Sequence, residues 1–417
     1  MSSYKHTCLR ITKYVLALVL SALLLSCSNN SNYYGYTSPS ATSGFKHRVM
    51  VSNSFAGTIL IFDADKDLLY GRAINTIPGN NLLAVSHDGT FTLSYSNGAN
   101  VLYYIDNKIE DVGAATANGG TTVSLTGNTE SLGILSGNLF AVTASRNAPV
   151  SGQPNGAVFV IDLTNRVIQS TISLPLARRV VLNNAGTKVL AFADNTNQAF
   201  VIDTTAYTAT AIADPSGVLD HPVNVIFSSD DSKAYILSCG AECGGTQAKV
   251  TAFDPSSNTL GNSVNVDGAT MGAIDTGGKL YVAGSTNGNG TLQMVDTAAL
   301  ASGTAVPTTS VSISNGYHRY MAFTDDSKLY IGSTNCSNAT VGGVVQGCLT
   351  MYNTSNQAVV ITTTAGDING IQPIIGRSEV YVCQNGELVI YSTKTDTPTV
   401  GNQTDIVGYA SAVLQIS

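Results

Sequence analysis

Seven cysteines and five histidines carry most of the reactive chemistry that this 417-residue chain can offer. Cys239 and Cys243 are close neighbours, as are Cys336 and Cys348, while Cys383 stands alone in an apolar run. In an oxidising compartment the close neighbours read as disulfides, Cys239 with Cys243 and Cys336 with Cys348, each within one loop. The run Cys239-Gly-Ala-Glu-Cys243 is not a C-x-x-C motif and no C-x-x-C-H run occurs, so metal or haem ligation is the weaker reading. Cys383 reads as a buried thiol rather than a nucleophile. Acidic pairs such as Asp230-Asp231 and Asp325-Asp326 suggest calcium, yet no D-x-D-x-D-G run is present. No metal, cofactor or catalytic residue is assigned.

The remaining two cysteines lie in a leader. Lys5, Arg10 and Lys13 precede an apolar run, Tyr14 to Leu25, that is too short to span a bilayer as a helix. The run ends in Leu24-Leu25-Ser26-Cys27, which resembles a bacterial lipobox. The expectation is a signal peptide over residues 1–26, removed together with Cys8, and a lipid on Cys27. Ser28 follows in place of the aspartate that favours inner-membrane retention, which points to the outer membrane. Residues 27–45, rich in Ser, Asn and Thr, read as a flexible tether, and residues 46–417 as one folded domain.

That domain must be built from repeats, because it is long for one simple sandwich and shows no break in composition. Its clearest unit is Val189 to Ala193, then Asp-Asn-Thr-Asn, then Ala199 to Ile202 and Asp203: two β-branched and aromatic runs joined by turn residues. Eight such hairpins recur, their second strands ending at Asp63, Asp106, Asp162, Asp203, Asp254, Asp296, Asn353 and Ser392. From Asp63 to Ser392 the seven intervals average 47 residues, the length of a four-stranded propeller blade. Strands such as Val180 to Leu182 and Val223 to Phe227 precede the hairpins as innermost strands, and Thr/Val/Ile-rich stretches such as Val167 to Ile172 follow as outer ones. The first hairpin lacks an innermost strand, whereas Tyr409 to Ile416 is spare at the C-terminus. Pairing the two closes the ring. The fold class is therefore all-β, a β-propeller of eight four-stranded blades, with seven as the alternative if the irregular stretch 107–150 has been split in two. The repeated aspartates are turn formers, since a short carboxylate accepts hydrogen bonds from the next backbone N–H groups.

Asp230-Asp-Ser-Lys-Ala-Tyr-Ile-Leu-Ser238, Asp325-Asp-Ser-Lys-Leu-Tyr-Ile-Gly-Ser333 and Lys279-Leu-Tyr-Val-Ala283 resemble the YVTN-type β-propeller repeats of bacterial and archaeal surface proteins. The nearest approach to the tetrapeptide itself is Val49-Met-Val-Ser-Asn53. The resemblance covers most of the mature chain. It implies a surface or periplasmic propeller and no particular activity.

In a propeller, residues at the start of each innermost strand surround one mouth of the central channel. Those positions hold Asn80, Asn81, Glu130, Arg178, Arg179, His221, Thr270, His318, Arg319, Asp367, Asn369 and Tyr409. With only 20 Lys plus Arg and five His in the chain, the gathering of His221, Arg178, Arg179, His318 and Arg319 at one repeated position suggests a polar funnel for an anionic or hydroxylated ligand. The net charge of -7 and the lack of a basic stripe argue against nucleic acid. Most of the 19 tyrosines, including Tyr104, Tyr235, Tyr281, Tyr330 and Tyr381, sit at strand positions and read as packing between blades. The expectation is a monomeric, membrane-tethered, non-catalytic binding or scaffold propeller for a protein, peptide or glycan. The alternative is a lactonase-type or quinone-dependent propeller enzyme, for which Glu130, Asp367, His221 and His318 are the available acid–base groups.

Overall fold

Unbroken runs of Val, Ile, Leu, Phe and Tyr are stable as strands only when both faces of their sheet are covered. The computed structural model describes residues 47–107, 122–404 and 406–416. The leader, Cys27 and the tether lie outside the described residues, as does the insertion 108–121.

The strands form eight four-stranded antiparallel sheets. The innermost strands of successive sheets contact one another around a closed ring, so the molecule is an eight-bladed propeller. Blade one holds Arg48–Asn53, Thr58–Asp63 and Leu68–Asn75, and its innermost strand is the C-terminal Ala410–Ile416. The innermost strands of blades two to eight begin at Asn80, Thr129, Ala177, Pro222, Met271, Tyr317 and Ile368. The expected second strands of blades four and five, Val189–Ala193 and Ala234–Ser238, form with those bounds.

The second strand of each blade lies in the middle of its sheet, and in Phe91–Ser96 and Val189–Ala193 every residue is buried. Outer strands such as Val167–Ser173 are largely exposed. Eight apolar clusters fill the structure, each shared by two neighbouring blades. Between blades four and five, for example, Leu190 and Phe192 meet Phe227, Ile236 and Phe253. At about 25 cal/mol per Å² of apolar surface removed from water, burial between blades is the main term holding the ring together. Tyr235, Tyr281, Tyr330 and Tyr381 belong to these clusters, whereas Tyr104 is half-buried, stacked on Phe91 and covered by Arg166.

Closure joins blade eight to blade one. Arg48–Asn53 pairs along its length with Thr58–Asp63 on one side and Ala410–Ile416 on the other. Phe62 meets Tyr381 edge to face at 6.3 Å. Asp67 accepts hydrogen bonds from Arg377 at 3.0 and 3.2 Å and from the Tyr381 hydroxyl at 2.7 Å.

The repeated aspartates fix turns, as expected. Asp162 Oδ1 accepts from the N–H groups of Thr164 and Asn165 at 2.8 Å, and Asp203 Oδ1 accepts from Thr205 and Ala206. The Ser256 hydroxyl and N–H hold the Asp254 carboxyl down at about 2. Asp231 of blade five instead reaches back to blade four, accepting from Asn184 N at 2.9 Å and Ala185 N at 2.8 Å. In blade six a helix, Thr297–Ser302, follows Asp296, which caps it by accepting from the N–H groups of Ala298 and Ala299. The outer strand is shortened there to Val311–Ile313.

The aspartate turns share one face of the ring with the turns that leave the innermost strands. The chain enters on this turn face, because Arg48 pairs with Asp63. The loops leading into the innermost strands lie on the opposite, mouth face.

Candidate functional site

The innermost strands share a backbone irregularity that carries the site. In seven blades the pairing with the second strand slips near its start, leaving extra residues on the innermost strand. The register places Asn81, Arg178, Val223, Arg319, Asn369 and Ser411 as the extra residue in six of them, and Glu130 with Ser131 in blade three. A β-bulge re-aims the side chain it leaves unpaired. Here it turns a ring of side chains into the channel mouth. Asn81, Glu130, Arg178, Arg319, Asn369 and Ser411 all line one cavity of about 630 Å³, and Val223 borders its smaller neighbour.

Three guanidiniums face one carboxylate in this cavity. Glu130 Oε2 lies 3.3 Å from Arg178 Nε and 3.8 Å from an Arg319 nitrogen. The ring of Tyr317 sits beneath both arginines, with centroid distances of 5.4 Å to Arg178 and 5.8 Å to Arg319. Asp194, in the hairpin turn of blade four, approaches Arg178 at 3.6 Å and Arg146 at 2.6 Å. Arg179 has no carboxylate within ion-pair distance among the described residues. One of its guanidinium nitrogens lies 3.7 Å from the thioether of Met271. Burial lowers the Arg179 pKa from the ordinary guanidinium value, and the charge of Arg178 adds to that effect.

Aromatic and amide groups complete the walls. Tyr320 is set deep and burial raises its pKa. Phe55 is 79% exposed and Tyr409 39% at the rim. Asn369 donates to the Tyr409 hydroxyl at 3.0 Å. The Tyr409 ring lies against Gly386, where a Cβ would meet it at 2.6 Å, so this rim position requires glycine.

Among the residues expected at the mouth, Asn81, Glu130, Arg178, Arg179, Arg319, Asn369 and Tyr409 line the cavity together. The others sit elsewhere. His318 immediately precedes a bulge and turns into its blade, 1% exposed, with Nε2 donating to the Ser314 carbonyl at 2.9 Å. Asn80 and Thr270 are likewise buried and bonded to backbone carbonyls. Asp367 is not on the cavity wall, and its Oδ1 is buried. His221 borders a side cavity of about 260 Å³, where it is held by Asp220 at 3.0 Å. Glu130, Asp367, His221 and His318 are therefore not brought together, and no group of three His, Cys, Asp or Glu suited to a metal occurs among the described residues. The sequence reading missed Phe55, Asn97, Tyr317, Tyr320 and Ser411.

Two cysteine pairs stand on the mouth face. Cys239 precedes and Cys243 ends a single 3-10 turn, Gly240–Cys243, and Cys336 and Cys348 join the strands of a long hairpin in blade seven. Both sulfur pairs lie at disulfide distance, with Cα separations of 5.7 and 6.1 Å. Glu242, between the first pair, accepts from Ser285 N of blade six at 2.8 Å and ties the two blades together. Cys383 is buried, and burial pushes its thiol pKa well up.

No family model and no curated protein matches the chain. Solved structures do. Dihydro-heme d1 dehydrogenase NirN in complex with DHE is similar at a TM-score of 0.67 and 11% identity, over 93% of this chain and 78% of that one. The Dos1 propeller follows at 0.58 and 12%, over 80% and 86%. The β-propeller domain of Myceliophteria thermophila Cps50 (Swd1) reaches 0.52 at 12% identity, over 75% and 97%. At such identities the likeness is one of fold, and the fold is a β-propeller.

Proposed function

We propose that this chain is a lipid-anchored, non-catalytic binding propeller of the bacterial cell envelope, of the YVTN type, whose channel mouth holds an anionic ligand. The observation that carries the ligand is the excess of guanidinium over carboxylate in the cavity, three against one, in a chain whose net charge is -7. Guanidinium groups bind carboxylates and phosphates through paired, charge-assisted hydrogen bonds. Here their backbones are fixed on sheet strands, so no loop has to be ordered on binding. The anchor rests on the leader and on Cys27 after Leu24-Leu25-Ser26.

The test is isothermal titration of the full chain, expressed with its own leader, with a panel of small carboxylates, phosphates and neutral sugars. Saturable binding of an anion that weakens in at least one of R178M, R179M and R319M supports the reading. Binding confined to neutral compounds, or unaffected by all three substitutions, would exclude it. Labelling with radioactive palmitate, lost in C27A, checks the anchor.

A further inference from the structure

We infer that Glu130 is a built-in occupant of one anion position, and that it thereby restricts the channel mouth to ligands carrying a single carboxylate on a hydroxylated ring, of sugar-acid type. This rests on the anion-binding reading above. Arg178 and Arg319 come from blades four and seven, three blades apart around the channel, and the carboxylate of Glu130 contacts both. Their shared contact with Tyr317 fixes both guanidiniums. A carboxylate-binding group is thus complete and filled from within the chain.

Arg179 is different. It faces the same cavity, is only partly exposed and has no carboxylate partner among the described residues. A desolvated charge without a counter-ion is unfavourable, and a ligand carboxylate supplies what is lacking. One open position and one filled position select a monoanion. A second carboxylate on the ligand would meet Glu130 or have to displace it, and like charges brought together in a partly desolvated site repel strongly.

The remaining walls identify the rest of the ligand. Asn81, Asn97 and Asn369 present amides that both donate and accept, as hydroxyl groups require. Tyr409 offers a ring face at the rim, and about 630 Å³ is room for one or two sugar rings.

The experiment is isothermal titration of the full chain and of its E130Q and R179M variants, each first shown to melt cooperatively. The probes are glucuronate, its neutral analogue glucose, the dicarboxylate glucarate, and a tetrapeptide with a free C-terminus. The unmodified chain is expected to prefer glucuronate over glucose and over glucarate by about tenfold or more, the effect of one charge-assisted hydrogen bond. R179M should lose about tenfold or more in glucuronate affinity, and E130Q should reduce the preference for glucuronate over glucarate by a similar factor. If R179M weakens anion binding but E130Q leaves the ratio unchanged, the role of Glu130 is refuted while the anion site stands. Equal affinity for the tetrapeptide overturns the sugar-acid assignment. No preference for any anion, in any variant, overturns both the inference and the reading beneath it.

Discussion

Removing the unpaired cation from the channel should make the unliganded protein more stable. Arg179 places a guanidinium in a partly desolvated site, beside the like charge of Arg178 and without a carboxylate partner among the described residues. Methionine keeps the length of the stem, and its thioether can pack beside Met271. Replacing a buried ion pair by apolar residues of similar volume is often neutral or stabilising by about 1–4 kcal/mol; for this single cation, which has no paired carboxylate to strand, the opening of the cavity to water argues for the lower end, about 1–2 kcal/mol. An unfolding entropy of about 2.1 cal/mol/K per residue gives roughly 0.8 kcal/mol/K for a domain of this size, so R179M should raise Tm by about 1–3 °C. Differential scanning calorimetry without ligand measures this directly. The gain should shrink in about 1 M salt, where screening within about 3 Å already relieves the repulsion between Arg178 and Arg179. A Tm that falls by a degree or more would refute the reasoning, because it would mean that Arg179 is held by interactions worth more than its desolvation costs. Combined with the loss of anion binding, a rise would mark Arg179 as a residue retained for function at the expense of stability.

Three further outcomes follow from the same physical arguments. His318 is buried with a pKa pushed down to about 4, and protonation would add an N–H at Nδ1, which has no partner. The unfolded chain therefore binds this proton first as pH falls from about 6.5 to 4, and over that window stability should drop by up to about 3 kcal/mol, a loss that H318Q should reduce in denaturant titrations at each pH. Deleting residues 410–416 removes the innermost strand of blade one and exposes both Arg48–Asn53 and the cluster around Phe62, so the truncated chain should lose its cooperative melt and aggregate in size-exclusion chromatography, whereas a ring indifferent to closure would elute unchanged. Alkylation of the unreduced protein should spare Cys239, Cys243, Cys336 and Cys348 on peptide mapping, and should reach Cys383 only after denaturation; rapid modification of native Cys383 would contradict its burial.

The blades were legible because their two central strands are buried on both faces, which forces continuous apolar runs such as Val189–Ala193, while a short polar residue, aspartate in six of the eight blades, closes the third strand at a turn. The number eight followed from counting those hairpins. Blade six was harder, since Thr297-Ala-Ala-Leu-Ala-Ser302 reads as part of a loop unless Asp296 and Gly303 are taken as helix caps. The mouth was legible only in outline. Composition at the strand starts pointed to Arg178, Arg179 and Arg319, but a bulge is a mismatch in pairing and no residue type marks it. Without the bulge, nothing separates Arg319, which faces the channel, from His318, which faces the core. Tyr317 escaped notice for the same reason: strand tyrosines in this chain mostly pack between blades, as Tyr320 also does while reaching the cavity, and only the turn of the strand sets Tyr317 apart.

The way the ring closes also decides how it would respond to force. The first described strand, Arg48–Asn53, is not an edge but is hydrogen-bonded on both sides, to Thr58–Asp63 and to Ala410–Ile416. A load applied at residue 47 acts along the axis of that strand. It must shear the ladders on both sides together, instead of peeling one bond at a time from an edge. The early rupture of a few residues would relieve nothing, because the last strand of the chain clamps the first. Resistance to such a pull is set by the barrier to unfolding and not by the equilibrium stability of the ring. A propeller closed in this way can be held by its first residue against drag at the mouth and keep its blades in register.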